Sequence, residues 1–262
     1  MDWLEALILG ILQGLTEFLP VSSSGHLEIG KALFSAEASD NLVFTVAVHG
    51  ATVLSTIVVF RKDILELLRG LFKFEYNTET KYILILLFSA IPVLIVGLFF
   101  KDTVESFFSG NLLLVGLSLL VTAGLLLFTH WAKDKLQKVS YGKAFIIGIG
   151  QALAVIPGIS RAGTTISTAL LLGVSKEKAA RFSFLMVLVP IIGANFLSAL
   201  QGDFTAADGP GIGALLIGFT AAFIAGLFAC SWMISIVKKG KLTWFALYCF
   251  IIGSIAITYS LV

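Results

Sequence analysis

The stretch that decides the fold reads IPGISRAGTTIS, residues 156–167, and it places Arg161 in the middle of a long apolar run. An arginine at the centre of a bilayer costs roughly 2.5–3.5 kcal/mol on insertion scales. A chain retains such a residue where a negatively charged group lies against it. A second stretch, QGLTEFLPVSSSGH at 13–26, places Glu17 and His26 in another apolar run. Two polar stretches broken by Pro and Gly predict a site near the middle of a membrane.

The composition indicates an all-α integral membrane protein that forms a single membrane domain over residues 1–262. Hydrophobic residues make up 58% of the chain and charged residues 13%, about half of the roughly 25% in soluble domains. The net charge of +2 is too small to indicate nucleic-acid binding. Cys230 and Cys249 lie in apolar runs and indicate neither a disulfide framework nor a zinc site. No basic region precedes the first apolar run, so we expect no removable signal peptide.

Six apolar runs have the roughly 20 residues that a helix needs to cross the hydrocarbon core. They lie near 42–60, 82–100, 111–131, 180–200, 211–237 and 241–261. The charged segment 61–81 predicts an amphipathic surface helix with Ile64, Leu65, Leu68 and Leu71 on one side.

Two further apolar regions are too broken to be single crossing helices. Residues 3–34 are interrupted at Pro20 and at the run from Ser22 to Gly25, and residues 144–173 at Pro157-Gly158 and again near Gly163. The resulting pieces are too short to cross the membrane alone, so they predict two re-entrant helical hairpins rather than crossing helices. Irregular backbone at membrane depth must be buried in protein or face a watery cavity. We therefore expect both hairpin tips to face the interior of the bundle.

The two halves of the chain share a layout. Gln13 stands nine residues before Ser22, and Gln151 stands nine residues before Ser160. Each hairpin is followed by three predicted spans, which gives one repeat over about 1–131 and another over about 141–262. Because three is an odd number, the second repeat must be inverted in the membrane.

The distribution of basic residues predicts the orientation. Fifteen of the eighteen Lys and Arg residues lie in the loops at 61–81, 132–143, 174–181 and 238–241, whereas the opposite side keeps Lys31 and Lys101. The positive-inside rule then places these loops in the cytoplasm and both termini outside. The hairpins enter from opposite sides, so their tips can meet near the midplane.

The residues at the tips favour an anion. A helix N-terminus presents free N–H groups, glycine lets backbone approach closely, and the Arg161 guanidinium matches a phosphate with two parallel N–H groups. The candidate substrate-binding residues are Gln13, Ser22, Ser24, Gly25, Ser160, Gly163, Thr164 and Thr165. We expect a phosphate or diphosphate ligand.

The candidate catalytic residues are Glu17, Ser23, His26 and Arg161. A carboxylate repels a phosphate unless a divalent cation, Mg²⁺ or Ca²⁺, lies between them, so Glu17 is a candidate metal ligand. Alternatively, Glu17 could act as a general base. His26 could transfer protons or act as the nucleophile, and a neighbouring serine, above all Ser23, is the other candidate nucleophile. The set predicts phosphoryl transfer or hydrolysis.

The two quoted stretches resemble the signature motifs of the undecaprenyl-pyrophosphate phosphatase family, also called the bacitracin-resistance protein, and the resemblance covers essentially the whole chain. Gln13 and Glu17 match a glutamate-or-glutamine pair, and the serines before His26 match a serine-rich stretch. Ser160 and Arg161 match the second motif, whereas Ala162 departs from a serine found in some members. Gln13 in place of a glutamate leaves a single carboxylate, which disfavours a metal site that needs two.

The resemblance implies an enzyme that removes the terminal phosphate of a polyprenyl diphosphate and so recycles the lipid carrier of cell-wall synthesis. It implies a divalent cation, a site that opens to the extracytoplasmic side of the bacterial inner membrane, and membrane lipids as surroundings. A flippase or transporter that moves the same lipid by the same anion site is the alternative. The nucleophile, the tail length and a homodimeric state stay open.

Overall fold

The computed structural model describes residues 1–34, 42–107, 110–201 and 211–261. Within these ranges the regular elements are helical, apart from one isolated bridge between Gln137 and Val174. The α-helices are α1 (Trp3–Phe18), α2 (Ser23–Phe34), α3 (Leu42–Val59), α4 (Arg61–Leu71), α5 (Thr78–Phe99), α6 (Lys101–Ser106), α7 (Leu112–Phe128), α8 (Tyr141–Leu153), α9 (Arg161–Leu171), α10 (Lys176–Gln201), α11 (Ile212–Lys239) and α12 (Thr243–Leu261).

The chain is a multi-pass membrane protein. Among the described residues, four helices are long and apolar enough to cross a bilayer: α5, α7 with the turn that follows it, α11 and α12. Helix α3 meets the same criteria only together with α4, from which it is bent by 77°. The predicted span 180–200 lies within α10 as one helix of 26 residues, but its side chains from residue 194 onward lie outside the described ones.

Both predicted hairpins contain a break. Residues 19–22, called tip one below, separate α1 from α2, and residues 154–160, called tip two, separate α8 from α9. Two details of the prediction were wrong. The run from Ser22 to Gly25 was predicted as an interruption, but the helix after tip one already begins at Ser23. Gly163 causes no second break, because the Ser160 side chain caps α9 by accepting the Gly163 N–H at 3.0 Å.

The segment 61–81 holds an amphipathic helix that is shorter than predicted. Helix α4 ends at Leu71, and α5 begins at Thr78 because Asn77 caps it. Leu65 and Leu68 are 51% and 41% exposed, and they lie next to exposed charged residues such as Lys62 and Arg69, as expected of a helix that lies on a membrane surface.

The helices that carry the tips pack closely on the long helices. Helix α1 makes its most extensive contacts with α11, and α8 makes its own with α5. Gly10 of α1 lies directly against the backbone carbonyl of Gly218 in α11. Small residues at such contacts allow helix backbones to approach within a membrane, where dispersion rather than water exclusion drives association.

The basic loops meet at one end of the bundle. Arg181 Nε lies 2.7 Å from Asp63 Oδ1, which joins the start of α10 to α4. Lys238 Nζ lies 2.8 Å from Glu177 Oε1, and the backbone of Gln137 pairs with residues 173 and 175. The loops at 61–81, 132–143, 174–181 and 238–241 therefore share one side, while the side chain of Lys31 lies outside the described ones.

The contact between α1 and α11 provides a test of the packing. Gly10→Leu should destabilise the protein by about 1–3 kcal/mol, because a larger side chain drives the two backbones apart. Gly124→Leu is the control, since a side chain at Gly124 meets nothing within 4 Å. Thermal unfolding in detergent should show a lower midpoint for Gly10→Leu alone. Equal midpoints for the two variants would contradict this packing.

Candidate functional site

An ion pair joins the two halves of the chain next to the tips. Glu17 lies in the last turn of α1 and Arg161 is the first residue of α9. Arg161 Nη2 lies 2.8 Å from Glu17 Oε1, and the two side chains are 30% and 7% exposed. The negatively charged group that we expected next to Arg161 is thus a side chain of the protein itself, Glu17.

The second oxygen of Glu17 accepts two further hydrogen bonds. Ser23 Oγ donates to Glu17 Oε2 at 2.8 Å, and Gln13 Nε2 donates to the same atom at 3.0 Å. Ser23 lies at the start of α2, whereas Gln13 lies one helical turn before Glu17. A serine hydroxyl that donates to a carboxylate is placed for deprotonation.

The two tips are in direct contact. Ser22 adopts a left-handed backbone conformation with φ of 68°. Its hydroxyl accepts the N–H of Gly25 and the N–H of Gly158 in tip two, each at 3.2 Å. A side chain at Gly25 would lie 2.9 Å from the Cα of Gly158, and one at Gly163 would lie 3.3 Å from Pro20. Gly25 is therefore needed for the close approach of the tips, and a side chain at Gly163 would make a tight contact with Pro20.

A small polar cavity lies where the tips meet. Its lining is Thr16, Glu17, Ser22, Ser23, Ser24, Ala154, Ile159, Ser160 and Arg161. Six of these residues were predicted from the sequence, and the structure brings them together from both halves of the chain. Thr16 was missed, since a threonine within an apolar helix carries no sequence signal of its own.

Two of the predicted threonines face elsewhere. Thr165 Oγ1 donates to the carbonyl of Arg161 in its own helix at 2.8 Å. Thr164 packs towards Gly150 of α8, and its buried hydroxyl has no hydrogen-bond partner among the described residues. Neither residue lines the polar cavity, and their role in binding substrate stays a prediction.

The contacts of His26 lie with tip one and α12. Its Nδ1 must donate to the Ser22 carbonyl, 2.8 Å away, because a carbonyl oxygen can only accept. Its Nε2 lies 2.7 Å from the Tyr248 hydroxyl, from which a neutral ring would accept a hydrogen bond. Tyr248 was missed by the sequence analysis. A catalytic role for His26 stays a prediction.

His49 was left out of the predicted site but lies next to it. Its Nε2 is 3.8 Å from Glu17 Oε2, while its Nδ1 bonds to the Thr45 carbonyl at 2.9 Å. In the sequence, His49 is a lone histidine within an apolar run. Such a residue can equally make an ordinary contact between helices, so it was not assigned to the site.

The candidate ligands for the predicted divalent cation are side-chain oxygens of Glu17 and Gln13. Within the described ranges, no group of three or more His, Cys, Asp or Glu residues is placed to hold a metal. However, Gln13 Oε1 is a buried oxygen with no hydrogen-bond partner, close to the Glu17 carboxylate. Mg²⁺ commonly takes one or two carboxylates and completes its shell with water and substrate phosphates. Glu17 supplies one carboxylate, whose oxygens accept from Arg161, Ser23 and Gln13, and Gln13 Oε1 is the additional oxygen without a partner.

Comparison with protein families identifies a relationship over nearly the whole chain. The family described as "Bacitracin resistance protein BacA" matches residues 6–255. The chain belongs to the BacA family. This confirms the resemblance noted from the two motifs, both of which lie within the matched residues.

Relatives of the BacA family match the chain end to end. A protein of Parabacteroides distasonis is 56% identical over 265 residues, which cover 100% of this chain and 99% of the relative. A protein of Bacteroides fragilis is 55% identical, with 99% of each chain covered. A more distant protein of Methanococcus vannielii is 40% identical and covers 98% of this chain and 100% of the relative. All three are called undecaprenyl-diphosphatase.

Proposed function

We propose that this protein is a membrane phosphatase that hydrolyses undecaprenyl diphosphate to the monophosphate and inorganic phosphate. The observation that carries the proposal is the convergence of Arg161, Glu17 and Ser23 on one polar cavity. The full-length similarity to undecaprenyl-diphosphatases supports the same chemistry. The reaction recycles the lipid carrier of cell-wall synthesis.

The proposed architecture has six crossing helices and two re-entrant hairpins in an inverted repeat. Helix pairing supports this symmetry, since corresponding elements make corresponding contacts. Helix α1 packs on α11 and α8 packs on α5, so each hairpin lies against the second long helix of the other repeat. The third helices, α7 and α12, pack on one another. A twofold axis in the membrane plane produces such a pattern.

The proposed location is the bacterial inner membrane, with both termini and the opening of the site on the extracytoplasmic side. The clustering of the basic loops at one end of the bundle supports this orientation through the positive-inside rule. A carrier lipid released after cell-wall synthesis carries its diphosphate on that side, where the site would receive it.

In the proposed mechanism Arg161 binds the diphosphate. Its guanidinium uses one nitrogen for Glu17, and its remaining N–H groups can donate to phosphate oxygens. The N-terminus of α9 adds positive potential at the same point. These groups stabilise the negative charge that shifts towards the transferred phosphoryl group and the leaving oxygen.

Ser23 is the proposed nucleophile and Glu17 the proposed base. The Ser23 proton moves to Glu17 along the existing hydrogen bond as Ser23 Oγ bonds to the terminal phosphorus. The bond between that phosphorus and the bridging oxygen breaks, and undecaprenyl monophosphate leaves. The oxygen of a water molecule then bonds to the phosphorus of the phosphoserine and the bond between that phosphorus and Ser23 Oγ breaks. Glu17 returns its proton to Ser23 Oγ, and the water protons leave with inorganic phosphate.

In the alternative role of Glu17, as a metal ligand rather than the base, Glu17 and Gln13 would hold the proposed divalent cation through their side-chain oxygens. Such an ion would neutralise phosphate charge and so let the diphosphate approach the carboxylate. His26, the remaining proposed catalytic residue, would supply or accept protons at the outer edge of tip one.

An apolar groove provides a route for the lipid tail. It begins at Glu17 and Arg161 and continues between α3 and α10, where Val53, Val187, Leu188 and Ile191 contribute to its wall. An amphiphile with an anionic head matches a groove that holds Glu17 and Arg161 and is otherwise lined mostly by apolar side chains. The tail would leave this groove between the helices into the bilayer.

The alternative function, transport of the same lipid, would use the same anion site. A flippase needs the same arginine and tips, and a proton-coupled carrier can also use a carboxylate, but hydrolysis alone requires a nucleophile next to a base. The Ser23–Glu17 hydrogen bond and the activity named for the relatives therefore favour hydrolysis.

Phosphate release from undecaprenyl diphosphate in detergent tests the function directly. The wild type should release phosphate, whereas Arg161→Ala and Glu17→Ala should each lose roughly 100-fold or more of the rate. Arg161→Lys should also lose most activity, since an ammonium cannot donate two parallel N–H groups. Arg69→Ala, an exposed arginine of α4, is the control and should behave as wild type. Near-normal turnover by Arg161→Ala would show that the diphosphate is held elsewhere.

The nucleophile is tested by Ser23→Ala. Its turnover should fall by roughly 100-fold or more, and acid quenching of the wild type with substrate labelled in the terminal phosphate should trap a phosphoserine that the variant lacks. Ser24→Ala should lose less, since the Ser24 hydroxyl is not bonded to Glu17. Turnover of Ser23→Ala within tenfold of the wild type would instead assign the attack to a water molecule activated by Glu17.

The tail route is tested with two adjacent isoleucines of α10. Ile191 lines the groove and is 9% exposed, whereas Ile192 is 48% exposed and lies outside it. Ile191→Trp should lower kcat/KM for undecaprenyl diphosphate by roughly tenfold or more, but leave the five-carbon dimethylallyl diphosphate little affected. Ile192→Trp should change neither value. Equal losses on both substrates, or no loss for Ile191→Trp, would contradict this route.

A further inference from the structure

A threonine of α7 holds tip two by two hydrogen bonds. Thr122 is fully buried and lies outside both sequence motifs. Its hydroxyl donates to the carbonyl of Gly158 at 3.0 Å and accepts the N–H of Ser160 at 3.1 Å. One hydroxyl thus satisfies a backbone acceptor and a backbone donor that would otherwise be buried without partners.

Gly158 is fixed between the two halves of the chain. Its N–H donates to Ser22 of tip one, whereas its carbonyl accepts from Thr122. Its φ of 94° is left-handed, and a side chain there would lie 2.7 Å from the Cβ of Ser118. The backbone of tip two therefore has little freedom as long as both hydroxyls are present.

The second bond of Thr122 acts on the start of α9. Ser160 is the N-cap residue of α9, and Arg161 follows it directly. The position of the Ser160 N–H determines where the cap lies and in which direction the Arg161 side chain leaves the backbone. The ion pair between Arg161 and Glu17, at 2.8 Å, requires that direction to be held.

We propose that Thr122 is a positioning residue for Arg161: its hydroxyl fixes tip two so that the guanidinium meets both Glu17 and the substrate phosphate. The proposal rests on the proposed function, because it assigns Thr122 to the same reaction. Thr122 touches neither substrate nor Glu17, and it acts through the backbone of Gly158 and Ser160.

Three variants separate the hydroxyl from the packing of the side chain. Thr122→Val keeps the shape but removes both hydrogen bonds, and it should lower kcat/KM by about 10- to 100-fold through misplacement of Arg161. Thr122→Ser keeps the hydroxyl and should stay within about threefold of wild type. Thr258→Val is the control, because the Thr258 hydroxyl bonds within its own helix to the carbonyl of Ser254.

A double-mutant cycle distinguishes positioning from a general loss of stability. Thr122→Val is combined with Arg161→Lys, whose side chain lacks the two parallel donors that need alignment. If Thr122 acts through Arg161, adding Thr122→Val to the Arg161→Lys variant should lower its kcat/KM by less than about threefold. A purely structural role would lower it by the same factor as in the wild-type background.

Either of two results overturns the proposal: kcat/KM of Thr122→Val within twofold of wild type, or an equal loss in both backgrounds. Should Thr122→Val not fold, Thr122→Cys takes its place in the cycle with the same two outcomes, since a thiol is a weaker hydrogen-bonding group of similar size. The proposed function is judged separately, because wild-type phosphate release and its loss in Arg161→Ala do not depend on Thr122.

Discussion

The ion pair between Glu17 and Arg161 is the interaction on which the rest of the structure depends. Either charge alone would be expensive to bury within a membrane, and loss of one partner would leave the other uncompensated. The pair joins residues that are 144 positions apart in the sequence. Folding is therefore committed to an arrangement in which α1 and α9, each next to a broken segment, converge on one point.

Such convergence needs irregular backbone at membrane depth, where unpaired N–H and C=O groups are costly. The structure meets this requirement with hydroxyl groups. Ser22 accepts two backbone N–H groups, Ser160 caps α9, and Thr122 serves both a donor and an acceptor. The same groups that satisfy the backbone hold the tips in contact, so the stability of the breaks and the geometry of the cavity share one cause.

The sequence predicted the features that local composition controls. Pro20 and Pro157 marked the two breaks, and Arg161 marked the point of greatest charge burial. The partner of Arg161 was not predictable, because the sequence required only a negative group and a phosphate satisfied that requirement equally well. In the structure the partner is Glu17.

Features set by contacts between distant segments gave no local signal. In the sequence, Thr122 cannot be distinguished from a threonine that only packs within an apolar helix. The bond between His26 and Tyr248 joins residues 222 positions apart, and nothing in the sequence near either residue indicates it. The extra break near Gly163 was predicted from glycine alone. It does not occur, because Ser160 caps the helix that begins at Arg161, so Gly163 already lies in its first turn.

A structure determined with the phosphonate analogue of undecaprenyl diphosphate, in which a methylene group replaces the bridging oxygen, tests the account most directly. The terminal phosphonate should lie within hydrogen-bond distance of both the Arg161 guanidinium and Ser23 Oγ, with the tail directed between α3 and α10. A phosphonate bound away from the two tips, with Arg161 and Glu17 paired and buried beneath protein, would contradict it.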